Sequence, residues 1–433
     1  MDIVISQIVT LSTQNESDLK KLRDFLRHEQ ESLKANAAQI EQALPTLDLV
    51  QNTLGIAFLL AAQLSAGAVA NPTATRTYIG KFLKAADEQQ VKKAMVPMNS
   101  VCKTYAQMAI DEGQQAMVLS IGPLRCAVEK LRPHPETLTP IHAELLRVCL
   151  KAKAYHLAVP VLEQPIYDIA VSSLNQHMTP QSFLSYFYYG ALVRIGLKQY
   201  AGALQLLMVV LTCPASCLSA IQADSYKKYV LLSLKVNGEV ANLPSYCSHI
   251  VQRFAKSPSY VNEIAEAFKR DDLEAVERLA EEKAQAIQAD QNMGLVKQVL
   301  ASRQRRKVQT LTKTYLTLSL AEIAKEVGWD VSRVTEVEDL LFDMISCGEI
   351  NARIDSVSGN VSFEDDCTDA WGNAMVVKLQ EKMDQILGLA QRIAAFEEEV
   401  VQSDAYIRRT MAMEDHPGGG APSLGGGYDS MDM

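Results

Sequence analysis

Two clusters in this chain hold residue types able to do chemistry, and neither has the spacing that a reaction needs. His142-Ala143-Glu144 places an imidazole beside a carboxylate, the opening of a deaminase-like zinc site, but no paired cysteines follow it. Cys213-Pro214-Ala215-Ser216-Cys217, with Cys247 and His249 as further ligands, comes nearest to a zinc knuckle. Zinc sites usually come as two tight pairs, and Cys213 and Cys217 sit where a helix ends. The seven histidines include no His-x-His pair followed by an acid, the set a zinc-dependent isopeptidase uses. A Gly-rich phosphate loop with its lysine and a Gly-x-Ser-x-Gly elbow are both missing. The expectation is a protein with no catalytic residue, cofactor or metal.

Two clusters suit binding better than catalysis. Tyr186, Phe187, Tyr188 and Tyr189 fall around Leu184, Leu192 and Ile195 at helical spacing, so part of the cluster is core and the remaining rings could serve a groove. Arg303, Arg305, Arg306, Lys307 and Lys313 form a basic run. It reads first as the solvated face of a helix, with phosphate tracking or an import signal as alternatives.

The elements that hold these clusters are mostly helices. Residues 303–363 read as a winged helix. Ser319 caps a short helix, Leu320 to Val327, with Glu322 as capping-box partner, and Gly328 ends it. Ser332 opens a second helix carrying Val334, Val337, Leu340, Leu341, Met344 and Ile345 at helical spacing, closed by Gly348. Ile350, Ala352 and Ile354 alternate along one strand, Ser358-Gly359-Asn360 turns, and Val361 and Phe363 alternate on the return. The wing is expected to be a two-stranded ribbon. Its second helix carries Glu336, Glu338, Asp339 and Asp343 against a single Arg333, which phosphates would repel. The unit therefore suits protein assembly rather than reading of specific DNA.

Upstream, Lys153-Ala154-Tyr155 through Ala158 to Leu162 and Lys198-Gln199-Tyr200 through Ala203 to Leu207 share the pattern K-x-Y-x-x-A-aliphatic-x-x-L, 45 residues apart. Each follows a helix opened by Thr-Pro, at Thr139-Pro140 and Thr179-Pro180. The small alanines allow close helix approach and the tyrosines fill the groove at the turn. Fainter echoes occur at Gly113–Ala116 and Val240–Leu243. Such repeats describe a tetratricopeptide-like helical-hairpin solenoid, which a winged helix could cap.

Beyond the wing, Thr368-Asp369-Ala370 precedes a long helix reaching about Asp404. Val376, Leu379, Met383, Ile386, Ala390, Ile393 and Val400 form its a/d seam, interrupted by Glu397. The seam packs either on helices of other chains or back on its own domain. After Glu414 the Gly-rich composition reads as a disordered tail. Bulk numbers agree with a multidomain helical protein: 433 residues, 48% hydrophobic and only 6% aromatic. A net charge of −9 argues against general nucleic-acid or membrane-surface binding. No secretory signal opens the chain, the apolar stretch Gly55 to Ala70 reads as a buried helix, and the eight scattered cysteines suit thiols of the cytoplasm or nucleus.

Hairpin solenoid, winged helix and terminal bundle helix together resemble the PCI family. Ser225-Tyr226-Lys227-Lys228-Tyr229, Asp290 through Gln298 and Val308 through Leu320 resemble its COP-nine signalosome branch, the third-subunit family. Gly348-Glu349-Ile350 and Gly359 through Phe363 continue the match. The likeness is strong over about 183–365, and the stretch after Val327 departs from it. Beside the Gly-rich tail over 411–433, which looks private to this chain, it implies repeats over 1–182, the helical part of a PCI domain over 183–302, the winged helix over 303–366 and a bundle helix over 368–410. It also implies a non-catalytic scaffold of the complex that deneddylates cullins, docking by wing edges and bundled helices onto neighbouring PCI subunits, the first and eighth, and indirectly onto cullin-RING ligases. Alternatives are a PCI subunit of the proteasome lid or of translation initiation factor three, or a nucleic-acid-binding PCI protein.

Overall fold

Helix starts and stops follow from local devices already present in the sequence. The computed structural model describes residues 2–12, 15–67, 71–169, 178–270, 273–327, 334–346, 348–355, 359–363, 373–404 and 406–408. It divides into two units, 1–306 and 307–433. The first begins with α1 (Asp2–Leu11), α2 (Glu16–His28), α3 (Gln30–Ala35) and α4 (Ala37–Ala43). These cover α5 (Thr53–Ser65), which is buried from Thr53 through Leu60, as its uninterrupted apolar run anticipates. Next come α6 (Pro72–Ala85), α7 (Glu88–Lys93), α8 (Met95–Glu112) and α9 (Gln114–Leu131).

The hairpin repeat is explicit in α10 (Pro140–Lys151) with α11 (Tyr155–Leu162), and in α12 (Pro180–Gly196) with α13 (Tyr200–Thr212). Thr139 and Thr179 are the N-caps, each followed by proline at the first helical position. Both hairpin turns use a lysine in the left-handed region, Lys153 at φ 56° and Lys198 at φ 61°. Ala154 N–H bonds Cys149 O and Lys153 N–H bonds Leu150 O; Gln199 to Arg194 and Lys198 to Ile195 repeat the pattern. These are Schellman closures without glycine. Ala158 and Ala203 are fully buried where the helices meet. Tyr155 lies flat on the next hairpin: a Cβ at Gly196 would sit 3.0 Å from its ring. Tyr200 repeats the arrangement, its ring 3.6 Å from Lys235 Nζ and its hydroxyl 3.2 Å from Gln298. Two short strands, β1 (Thr137–Leu138) and β2 (Asp168–Ile169), pair in parallel beside the first hairpin.

At Thr139 the capping box is unusual, because its third residue is His142. Thr139 N–H donates to His142 Nδ1 at 3.1 Å, and the imidazole is buried against Tyr186. Burial pushes the histidine pKa down to about 4 from its ordinary 6.5. The unfolded chain therefore binds a proton that the folded chain refuses between those two values, and stability falls as pH drops through that window. We expect a loss of about 2 kcal/mol from this group between pH 7.5 and pH 5. His142→Gln keeps an N3 acceptor for the cap and does not titrate. Urea denaturation at both pH values should show the gap between variant and parent shifting by that amount; an unchanged gap would mean the histidine is not held neutral.

After α14 (Ala220–Val236) the regular hairpins give way to α15 (His249–Ala255), α16 (Tyr260–Lys269), α17 (Leu273–Glu282), α18 (Ala284–Ala289) and α19 (Met293–Thr314). The echo expected at Val240–Leu243 is not a helical hairpin: residues 240–244 are irregular. Four residues of favourable pattern cannot nucleate a helix unaided, and no apolar period continues beyond them.

In the second unit, α20 (Leu320–Val327) starts with the expected capping box, Ser319 Oγ accepting from Glu322 N–H and the Glu322 carboxylate accepting from Ser319 N–H. The helix α21 (Val334–Ser346) ends at Gly348, whose φ of 69° closes a further Schellman motif. Gly328, Ser332, Ser358, Thr368-Asp369-Ala370 and the Gly-rich tail lie outside the described residues. The wing has three strands, not two. β3 (Thr317–Ser319) joins β4 (Ala352–Asp355) and β5 (Asn360–Phe363) in an antiparallel sheet ordered β3-β5-β4. Three residues are too few to show a period of two, so β3 is silent in the sequence. Ile350 precedes its strand instead of opening it.

Candidate assembly surfaces

The long α22 (Asn373–Gln402) is the most unusual surface in the protein. At 1.5 Å per residue it is about 45 Å long. Val376, Leu379, Met383, Ile386, Ile393 and Val400 of the expected seam are 51–64% exposed, and Ala390 is exposed as well. Four further apolar residues flank this seam at heptad positions e and g: Leu387, Leu389, Phe396 and Val401, all similarly exposed. Sequence reasoning confined to a and d passed over them. An apolar stripe that widens to e and g on both sides asks for more than one neighbouring helix, the geometry of a bundle instead of a two-stranded coil.

The wing residues fall into two classes. Ile350, Val361 and Phe363 are buried in the core of the second unit with Leu320, Ile323 and Leu341, while Ala352 and Ile354 are half-buried. The side chains thus hold the sheet together, and the backbone offers the edge. Register decides which groups face out. Phe363 N–H bonds Leu316 O and Leu320 N–H bonds Gly359 O, so odd-numbered residues of β5 face β3 and its even-numbered residues face β4. Arg353 and Asp355 consequently turn their peptide groups toward β5, and Ala352 and Ile354 turn theirs toward the open edge. On β3, Ser319 N–H is already taken by Glu322, which leaves β4 the more open edge.

The face of α21 that would enter a DNA groove carries Asp339 and Asp343 with Phe342, which is 67% exposed. An exposed phenyl ring between carboxylates suits protein contact. Most of the basic run is engaged within the fold, although Lys313 is exposed. Arg306 donates to the carbonyls of Lys235, Val236 and Asn237 and so caps the C-terminal end of α14. Arg303 is buried, and Lys307 donates to Glu326 O at 3.2 Å. Neither a fully solvated face nor a phosphate track describes these residues.

Two of the motifs that carry the family likeness, around Lys227-Lys228 and Asp290, hold polar contacts in the first unit. Lys228 is buried and donates to both Asp224 oxygens at 2.8 Å, while Tyr188 donates to the same carboxylate. One residue earlier, Lys227 pairs with Asp290 at 2.6 Å, and Tyr260 donates to Asp290 at 2.8 Å. Burial alone would raise the Asp290 pKa, but these hydrogen bonds outweigh it and hold the carboxyl below its ordinary value. Tyr186 is core; Phe187, Tyr188 and Tyr189 are half-buried. Cys213 is half-buried, Cys217 exposed and Cys247 buried, and among the described residues no three His, Cys, Asp or Glu side chains gather to hold a metal ion. Burial pushes the Cys213 and Cys247 thiols up in pKa, the opposite of what a thiolate ligand needs.

Comparison with known proteins adds a second line of observation. Residues 16–251 match the family described as COP9 signalosome complex subunit 3, N-terminal helical repeats, and residues 263–365 match the PCI domain. COP9 signalosome complex subunit 3 of Arabidopsis thaliana is 32% identical over 412 residues, covering 94% of this chain and 92% of the relative. The protein of the same name in Drosophila melanogaster is 29% identical over 427 residues, covering 95% and 94%.

Proposed function

The chain belongs to the COP9 signalosome complex subunit 3 family, and on that premise we propose that it is a scaffold subunit of the signalosome with no catalysis of its own. The observation that carries the reading is α22, a helix whose broad apolar stripe is exposed along its length. Helices of other signalosome subunits are its occupants, gathered into a bundle. Through that assembly, which removes the ubiquitin-like NEDD from cullins, the chain acts on cullin-RING ligases indirectly. Its nearest neighbours are the first and eighth subunits, one of them paired at the β4 edge.

Free thiols at all six described cysteines support residence in the cytoplasm and nucleus. No described helix is long and apolar enough to cross a membrane. Affinity purification of the tagged chain with identification of its partners tests the reading. Signalosome subunits should co-purify; recovery of proteasome-lid or initiation-factor subunits in their place would overturn it.

The edge can be tested separately. Ala352→Pro removes an outward-facing N–H from an edge strand, where proline is tolerated, and leaves the internal ladder intact. Pairing with the neighbouring subunit should weaken more than about tenfold, since one shared ladder bond is lost and the ring obstructs the next. Thermal melting of the isolated chain should stay within a few degrees. Unchanged co-purification would exclude β4 as a shared edge.

A further inference from the structure

A cavity of about 370 Å³ lies in the first unit among α8, α10 and α12. These are the leading helices of successive hairpins and pack side by side, so one face of each contributes to a common groove. Asn99 and Lys103 enter from α8 and Gln181 and Ser185 from α12, both pairs at i and i+4, while Glu144 and Arg147 enter from α10. Assembly by wing and bundle uses none of them.

The balance of charge favours an anion. Lys103 and Arg147 face a single carboxylate, Glu144. The first turns of α10 and α12 also form part of the wall, through Pro140, Ile141, Gln181 and Ser182, and bring the partial positive charge of two helix N-termini. Arg147 Nε lies 3.0 Å from Glu144, a charge contact without hydrogen-bond alignment. Its Nε and Nη2 are buried with no hydrogen-bond partner. The Arg147 side chain nevertheless keeps 23% of its surface exposed, so an incoming carboxylate can compete with Glu144 for its charge.

We propose that this groove binds an acidic peptide segment in extended form, with Lys103 and Arg147 receiving its carboxylates and the amide and hydroxyl groups of α8 and α12 orienting its backbone. The volume sits at the lower end of ligand sites, roughly 300–1,000 Å³, and fits a short segment better than a folded surface. The inference is independent of the assembly reading.

The test uses the full chain and fluorescence anisotropy. The probe is a short fluorescein-labelled peptide of alternating glutamate and leucine, with its glutamine counterpart as control. The acidic peptide should bind at least about tenfold more tightly than the control, because only its carboxylates can accept charge-assisted hydrogen bonds. A chain of net charge −9 offers acidic peptides no general attraction, so such a preference needs a local site. Lys103→Gln, at an exposed position that leaves packing untouched, should weaken the acidic peptide about tenfold. Glu144→Gln should tighten it several-fold by removing the competing carboxylate, a gain that a purely structural role for Glu144 would not produce. Equal binding of the two peptides, or an unaltered affinity in Lys103→Gln, would overturn the proposal.

Discussion

Replacing Ile386 by glutamate is expected to release this chain from its partner subunits while leaving its own fold unchanged. Ile386 occupies a d position and is 64% exposed in the isolated chain, so the substitution removes almost nothing from its own core. In a bundle the same side chain is buried, and a carboxylate there loses about 2 kcal/mol of apolar burial and adds several more of desolvation. Recovery with partner subunits should fall by more than about 100-fold. Urea denaturation of the free chain should agree with the parent to within about 0.5 kcal/mol. Glu381→Gln, at position f on the opposite face, is the control and should assemble normally. Unfolding of the isolated Ile386→Glu chain would show that the helix packs internally, and full recovery of the complex would show that the stripe is not the interface.

The second large effect is on stability. Lys228 is 6% exposed and has Asp224 as its charge partner, with Tyr188 sharing the carboxylate. Asp224→Ala strands a buried ammonium and removes the acceptor of a half-buried hydroxyl, at a cost of about 3–5 kcal/mol. The pair itself need not be strongly stabilising, because taking both charges out of water consumes most of their attraction. The double variant Asp224→Ala with Lys228→Met should therefore recover most of the loss. Chemical denaturation of the two variants distinguishes the cases. A single-variant cost below about 1 kcal/mol would mean that Lys228 finds water when Asp224 is removed.

Local devices made much of this fold readable in advance. Thr-Pro at 139–140 and 179–180, Ser319 with Glu322, and Gly348 act within one turn of chain, so residue identity and spacing suffice to place them. The K-x-Y-x-x-A repeat also survived translation into structure, although its lysines carry a role that pattern alone did not assign, the left-handed closure of each hairpin. Two expectations failed because the deciding contact was remote in sequence. β3 exists because Leu316 and Leu320 meet Phe363 and Gly359 some 40 residues later. The basic run looked solvated until Arg306 met the end of α14, about 70 residues earlier in the chain.

The assembly surfaces divide along the same line. Heptad spacing placed Val376, Met383 and Ile386 on one stripe of one helix, because a helix repeats every 3.6 residues whatever surrounds it. That this stripe remains uncovered, and that it widens through Leu387 and Phe396, is a matter of what else in the chain could reach it. The open peptide groups of Ala352 and the groove containing Lys103 and Arg147 were beyond sequence patterning for a related reason. Strand order and the stacking of α8, α10 and α12 are set by long-range packing, and only that packing determines which polar groups are satisfied and which are left facing outward.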